Sequence, residues 1–333
     1  MILVIGATGY IGRYFCTEMV ERGIDVLALG RSKKVADFFE KNKVPFQYFD
    51  LNRRECFEEL PKKNVDAIID LSACLAEVET PLEQFFLVNT IGTYNVLEYA
   101  RMHNIKKVVI TSSHKLYNDI HKEVISEKDG ISFTGDHSPY IISKIAAENF
   151  VEWYNKDFDM RAVALRLTGV HGYGEILGHL NADGSYKKST FEIFFEKALK
   201  GEKIEVWGNQ KIKRDHIYIK DVVEALYMAA TSGDKKGIFN IASGVGYSQY
   251  DEAMALARVF NPDKCKSEII CRPDLPGLTR GYIYDISKAR RILGWKPQYT
   301  NLFDMLCDYR KEWEQKKYHN YHFIKEGEGP ASL

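Results

Sequence analysis

The first residues of the chain already restrict its fold. Ile2-Leu-Val-Ile5 is an apolar run that stops at Gly6, and Gly6-Ala7-Thr8-Gly9-Tyr10-Ile11-Gly12 follows it. Residues 10–22 then place Ile11, Phe15, Met19 and Val20 at helical spacing, and Gly23 closes the segment. The short apolar run reads as a buried strand and the spaced residues as a helix packed on it. Glycines at such a turn permit a tight reversal and let a pyrophosphate approach the backbone. The helix N-terminus there supplies N–H donors and a favourable dipole. The spacing is G-x-x-G-x-x-G rather than G-x-G-x-x-G. A ligand-free turn would look the same locally, but the place after an N-terminal strand favours a dinucleotide site.

The alternation continues. Strands read at 26–29, 46–49, 67–71, 108–110 and 162–167, and helices at 34–42, 54–61, 82–102 and 140–156. Strands alternating with helices imply parallel βαβ units, and continuous apolar strands a sheet covered on both faces. The expected fold is α/β, a Rossmann-type doubly wound parallel sheet with a smaller C-terminal α/β domain. We place the NAD(P)-binding domain at 1–170 and a substrate-binding domain at 171–333, with part of 217–245 packing back on the first. Residues 171–188, with Gly172, Gly174, Gly178 and Gly184, read as a long loop. Helices recur at 190–200, 220–232, 249–260, 286–293 and 301–317, and the tail from Lys325 reads as frayed.

Charge and cysteine content narrow the function. Forty-six Lys plus Arg balance forty-six Asp plus Glu. A chain of zero net charge has no long-range field to gather nucleic acid or an anionic membrane. No apolar run is long enough to span a bilayer. Cysteines at 16, 56, 74, 265, 271 and 307 form no C-x-x-C, which points to reduced thiols in a cytoplasmic protein. The first strand begins at Ile2, so no signal peptide is expected before it. His319-x-x-His322 has ligand-like spacing but no neighbouring carboxylate or thiol, so no metal site is expected.

Two stretches carry the chemistry. The second strand ends in Leu29-Gly30-Arg31-Ser32-Lys33-Lys34, without the carboxylate that usually meets a ribose 2′-hydroxyl. Gly30 leaves space, and Arg31, Ser32 and Lys33 suit the 2′-phosphate of NADP, NAD remaining possible; a solvated basic loop is the plainer alternative. Asp50 could meet the adenine amino group or cap the next helix. Tyr140 and Lys144 stand one helical turn apart, where an ammonium favours the phenolate and lets the tyrosine move protons near neutral pH. Tyr-x-x-x-Lys also occurs at Tyr284/Lys288 and Tyr321/Lys325, and about two such pairs arise by chance. Only Tyr140 follows a Ser-Pro helix start and lies shortly after Thr111-Ser112-Ser113, at the carboxyl end of a strand, where ligands of such sheets bind.

With these residues the chain resembles the extended short-chain dehydrogenase/reductases, the nucleotide-sugar epimerase/dehydratase family, over almost its whole length. Leu87-Val-Asn89-x-x-Gly92-Thr93, Arg214-Asp215-His216-Ile217-Tyr218-Ile219-x-Asp221-Val222, Phe239-Asn240-Ile241-Ala242-Ser243-Gly244 and Asp285-Ile-Ser-Lys288 with Leu293-Gly294-Trp295-x-Pro297 match its landmarks. The resemblance implies Tyr140 as general acid/base, Lys144 on the nicotinamide ribose and Ser113 on the reacting oxygen. It implies cofactor contacts from Gly6, Thr8, Gly9, Tyr10, Ile11, Gly12, Arg31, Asp50, Leu51, Leu71, Ser72, Ala73 and Asn89, besides Tyr140 and Lys144. Substrate contacts would come from Ser113, His114, Lys115, Gly169, His171, Arg214 and Arg280, the two arginines clamping a nucleotide diphosphate. The alternative for Arg214 is an ion pair with Asp215 or Asp221. A homodimer is expected.

The chain also departs from the family. His114 and Lys115 stand where the 4,6-dehydratases carry an acidic pair, so that elimination is not expected. Gly169 and His171 replace the usual Asn and Tyr, and Asp70-Leu71-Ser72-Ala73 replaces H-x-A-A. We therefore read an NAD(P)-dependent epimerase of a nucleotide sugar acting through a transient keto intermediate. The alternatives are an NADPH-dependent reductase of a nucleotide keto-sugar, a dehydrogenase of a small non-nucleotide substrate, and an NADP-sensing protein without turnover.

Overall fold

The computed structural model of the protein describes residues 1–75, 80–132, 137–174, 179–180, 186–261 and 267–318. The His319/His322 pair, Tyr321/Lys325, the tail, and Gly178 and Gly184 of the long loop lie outside the described residues.

Seven strands form the central sheet: β1 (Ile2–Ile5), β2 (Val26–Gly30), β3 (Phe46–Tyr48), β4 (Ala67–Asp70), β5 (Lys107–Ser113), β6 (Val163–Leu167) and β7 (Gly237–Ile241). All pairings are parallel, in the order β3-β2-β1-β4-β5-β6-β7. This is the doubly wound Rossmann arrangement, whose ligand crevice opens where the strand order reverses, between β1 and β4. Alternate side chains explain the two faces. Val4, Ala28, Ile69 and Val109 pack into one buried layer, while Leu3, Leu29, Ile68 and Val108 pack into the other.

Register decides which residues reach the crevice. Ile5 lies opposite both Leu29 and Asp70, so β1, β2 and β4 end level. β5 is longer. Ile110 pairs with Asp70, and Thr111, Ser112 and Ser113 continue past β4, paired only with Leu165, Arg166 and Leu167 of β6. The helix Pro139–Asp157 starts on Ser138, which accepts the Ile141 N–H, with Pro139 in its first turn.

The second half contributes β7 to the sheet and builds smaller units both before and after it in the chain. Gly169–His171 pairs in parallel with Arg214–Tyr218, which pairs antiparallel with Gly246–Tyr247. Val124–Ile125 pairs with Ile283–Tyr284. The stretch read as one long loop contains a short antiparallel pairing of 179–180 with 186–187. No helix among the described residues is long and apolar enough to cross a membrane.

Candidate active site

The glycine turn leaves β1 at Gly6 with φ +76°, which side-chain-bearing residues rarely adopt. A Cβ there would lie 2.7 Å from the Ser72 amide nitrogen, and a Cβ on Gly12 would lie 2.5 Å from the Ala7 Cα. Both neighbours are backbone. Gly9 begins the helix Tyr10–Glu21, which has no side-chain cap and no acid in its first turn. The first N–H groups of that helix, at Tyr10, Ile11 and Gly12, and its positive dipole end are thus left for an outside anion. A cavity of about 210 Å³ opens here, lined by Gly6, Thr8, Gly9, Arg31, Asp50, Leu51, Leu71, Ser72 and Ala73. Asp50 accepts the Asn52 N–H at 3.0 Å, so it caps its own turn while facing the cavity. A cradle that Cβ atoms would fill, next to uncapped helix donors, fits a nicotinamide dinucleotide.

Asn89 does not line this cavity. It lies on a π-helical stretch, Phe86–Gly92, inside the continuous helix 82–102. Its carboxamide accepts the Cys74 N–H at 2.8 Å and donates to the Cys74 carbonyl at 3.1 Å and the Ser143 hydroxyl at 3.0 Å. Its side-chain partners are thus the backbone of Cys74 and the hydroxyl of Ser143. Asn89 is buried and ties the loop after β4 to the helix that carries Tyr140.

Ser113, Tyr140 and Lys144 converge at the end of β5. The Ser113 hydroxyl accepts the Lys115 N–H at 3.2 Å, and its interaction with the Tyr140 phenol favours the phenolate. The Lys144 ammonium is buried and donates to the Thr111 carbonyl at 2.8 Å. Burial pushes Lys144 down to about 8, against the pull of Asp70 and Glu148. The phenol of Tyr140 is raised by burial, and the hydrogen bond from Ser113 only partly offsets this. One-turn spacing on the helix would set the ammonium beside the phenol. In the structure Lys144 is turned to Thr111, and Ser113 is the group that favours the phenolate.

A buried ion pair supports this corner. Arg166 donates to both oxygens of Glu148, at 2.8 and 2.6 Å, and to the Tyr117 hydroxyl at 2.5 Å. Glu148 also accepts from Ser112, the neighbour of Ser113, and Tyr117 donates to Asn240 at 2.8 Å. Glu148 follows Lys144 by one helical turn, so the pair joins the tyrosine helix, β5, β6 and β7.

A second cavity, of about 240 Å³, lies among the smaller units and is lined by His171, Phe191, Arg214, His216, Tyr247 and Ser248, among others. Asp215 and Asp221 do not neutralise Arg214. The Asp215 carboxylate accepts from the N–H groups of Ser243, Gly244 and Tyr284, and burial holds it up at about 6. Asp221 accepts from the N–H groups of Gln298 and Tyr299. Arg214 instead donates to the Arg280 carbonyl at 3.1 Å and covers the Tyr282 ring at 5.5 Å. His171 stacks on Phe191 at 5.1 Å and lies 4.5 Å from His216, ring centre to ring centre.

The model of the NAD dependent epimerase/dehydratase family matches residues 2–242. The chain belongs to that family. As a member of the epimerase/dehydratase family it is an NAD-dependent enzyme of nucleotide-sugar chemistry. It is 27% identical to a UDP-glucose 4-epimerase of Halalkalibacterium halodurans, over 96% of this chain and 97% of that one. It is 26% identical to a dTDP-4-dehydro-6-deoxyglucose reductase of Escherichia coli, over 89% and 92%. The UDP-glucose 4-epimerase of Thermotoga maritima, solved with UDP-glucose, superposes with a TM-score of 0.74 at 25% identity, covering 95% of this chain and 99% of that one.

Arg280 reaches the turn that follows β5. Its guanidinium donates to the carbonyls of Tyr117, Asn118 and Ile120, so it clamps the turn after Ser113 and is not among the residues lining the second cavity. Gly169 is explained by its neighbour. A Cβ there would meet the His216 Nδ1 at 2.6 Å, so the imidazole fills the space of the family's Asn side chain. Tyr284, whose Tyr-x-x-x-Lys spacing to Lys288 is a chance match, contacts His114 Nδ1 through its hydroxyl at 3.0 Å. Its strand pairing with Val124–Ile125 carries it there, which no local motif encodes.

Proposed function

We propose that the protein interconverts epimers of a nucleotide sugar through a transient keto sugar. The observation that carries this is the Ser113–Tyr140 contact at the open end of β5, with Lys144 buried beneath it and the glycine cavity alongside. Bound nicotinamide supplies the reversible oxidation of the sugar carbinol. Tyr140 takes the hydroxyl proton at Oη and later returns it. Ser113 donates to the same oxygen and favours the phenolate, and Lys144 adds a buried positive charge below. Arg214, without a carboxylate partner among the described residues, meets the diphosphate. Gly6, Gly9 and Gly12 let the cofactor pyrophosphate reach the helix donors, and Arg31 at the rim favours NADP through its 2′-phosphate.

The test offers UDP-, GDP-, CDP- and dTDP-sugars with and without added NADPH and follows the products by NMR. Epimer formation without added NADPH, at constant absorbance at 340 nm, supports the epimerase. Strict dependence on NADPH moves the assignment to a reductase, the reading that Arg31 and the 26% identical reductase favour. The homodimer belongs to the same proposal. Phe86, Leu87, Ile91, Ile142 and Trp153 are exposed along the two helices 82–102 and 139–157, which suits a second copy packed on this face. Ile91→Glu should then give a monomer by light scattering.

A further inference from the structure

The turn after β5 is held from three sides. Ser113 accepts the Lys115 N–H at 3.2 Å. The Tyr117 hydroxyl sits between Arg166 and Asn240. Arg280 binds the carbonyls of Tyr117, Asn118 and Ile120. From this fixed turn the Lys115 ammonium lies over the Tyr140 ring, 5.7 Å from its centre.

No carboxylate of the described residues pairs with Lys115, and the carboxylates around this turn have other partners: Asp119 lies 4.0 Å from His137, and Glu127 accepts the Asn240 N–H at 2.7 Å. Glu148 is bound by Arg166, Asp70 by Ser72, and Asp215 by backbone N–H groups. Lys115 is exposed while the site is open. A sugar docked against Tyr140 would strip water from the ammonium, and an unpaired desolvated cation is costly. A neutral hexose cannot offset that cost, whereas an anion on the sugar can. The nucleotide diphosphate is the wrong anion for this place. The ammonium stands at the phenol that handles the reacting hydroxyl, whereas Arg214 lines the separate second cavity. His114, the neighbour of Lys115, contributes no negative charge and is held at Tyr284.

We propose that the sugar accepted here carries a carboxylate on its ring, a nucleoside diphosphate uronate, and that Lys115 binds that carboxylate. This rests on the nucleotide-sugar reading above and names the class of sugar. Charge-assisted hydrogen bonds of this kind separate ligands by about 10- to 100-fold in affinity.

The test is calorimetric titration of the full chain, with its cofactor, by UDP, UDP-glucose and UDP-glucuronate. Wild type, Lys115→Met and Lys115→Arg are compared. The uronate should bind wild type about 10- to 100-fold more tightly than the hexose. The ratio should fall to near one in Lys115→Met and persist in Lys115→Arg. Equal affinities in wild type, or a preference that survives in Lys115→Met, would overturn the inference. If UDP and UDP-glucose bind but the uronate has no advantage, this inference alone fails. If none of the three binds, the same pair of sugars is offered on GDP, CDP and dTDP, and if none of those binds either, the nucleotide-sugar reading falls with it.

Discussion

The Glu148–Arg166 pair gives a sharp test of how the catalytic corner is held together. Both side chains are buried, at 4% and 6% exposure, and the guanidinium grips both carboxylate oxygens. Glu148→Gln keeps the shape but removes the charge. It also sets an amide NH₂ against either Nε or Nη2 of Arg166, leaving a buried cation with a donor facing a donor. Breaking one partner of a buried pair costs about 3–5 kcal/mol. Replacing both partners by apolar side chains removes the uncompensated charge, so Glu148→Leu with Arg166→Met should recover most of the loss. The assay is urea unfolding of the single and double variants, with the midpoint read at constant slope. Catalysis should respond differently. The double variant should fold but turn over poorly, because Ser112 loses its acceptor and Lys144 loses a nearby carboxylate. A single variant as stable as wild type, or a double variant no better than Glu148→Gln, would refute the reasoning.

Three other outcomes are expected. Gly12→Ala places a Cβ 2.5 Å from the Ala7 backbone and should cost about 1–3 kcal/mol by denaturant unfolding, with loss of bound cofactor. Arg31→Ala should weaken NADP by about one to two decades and leave NAD nearly unchanged, as measured by fluorescence titration; equal losses would remove the assignment. The third concerns acid. Burial and the neighbouring cations Lys115, Arg214 and Arg280 hold His114 down at about 4, against about 6.5 when unfolded. The unfolded chain therefore takes up this proton first, so the contribution is present above pH 6.5 and is lost as pH falls towards 4. His216 is lowered in the same sense. Stability should drop across that window by up to about 3 kcal/mol for His114, and less steeply in His114→Gln.

The first half of the fold was legible because each element there carries its own signal. β1 and β4 are apolar runs, the glycine turn marks a topological switch, and Ser138-Pro139 marks a helix start. The second half was read poorly for strands. Ile204–Trp207 and Ile269–Arg272 pair only with each other and are partly exposed, so no alternation sets them apart. β7 contains Gly237 and Asn240 and shows its strand character only beside β6. At the site, residues near one another in sequence were found by motif. What escaped was contact between distant segments. Arg280 turns to the carbonyls at 117–120, Asn89 to Cys74 and Ser143, and Tyr284 to His114. Lys144 likewise faces Thr111, which helix spacing alone does not reveal.

The most direct measurement is turnover of Tyr140→Phe on the sugar nucleotide that wild type accepts, with the cofactor content of each protein determined by mass analysis after denaturation. The ring and the backbone are kept, and only the phenol hydroxyl is lost, so the cofactor should remain. Turnover should fall by about 10²- to 10⁴-fold, the usual worth of a general acid/base. Turnover within a factor of about two of wild type, with cofactor bound, would mean that Tyr140 does not move the proton and that the proposed chemistry is wrong.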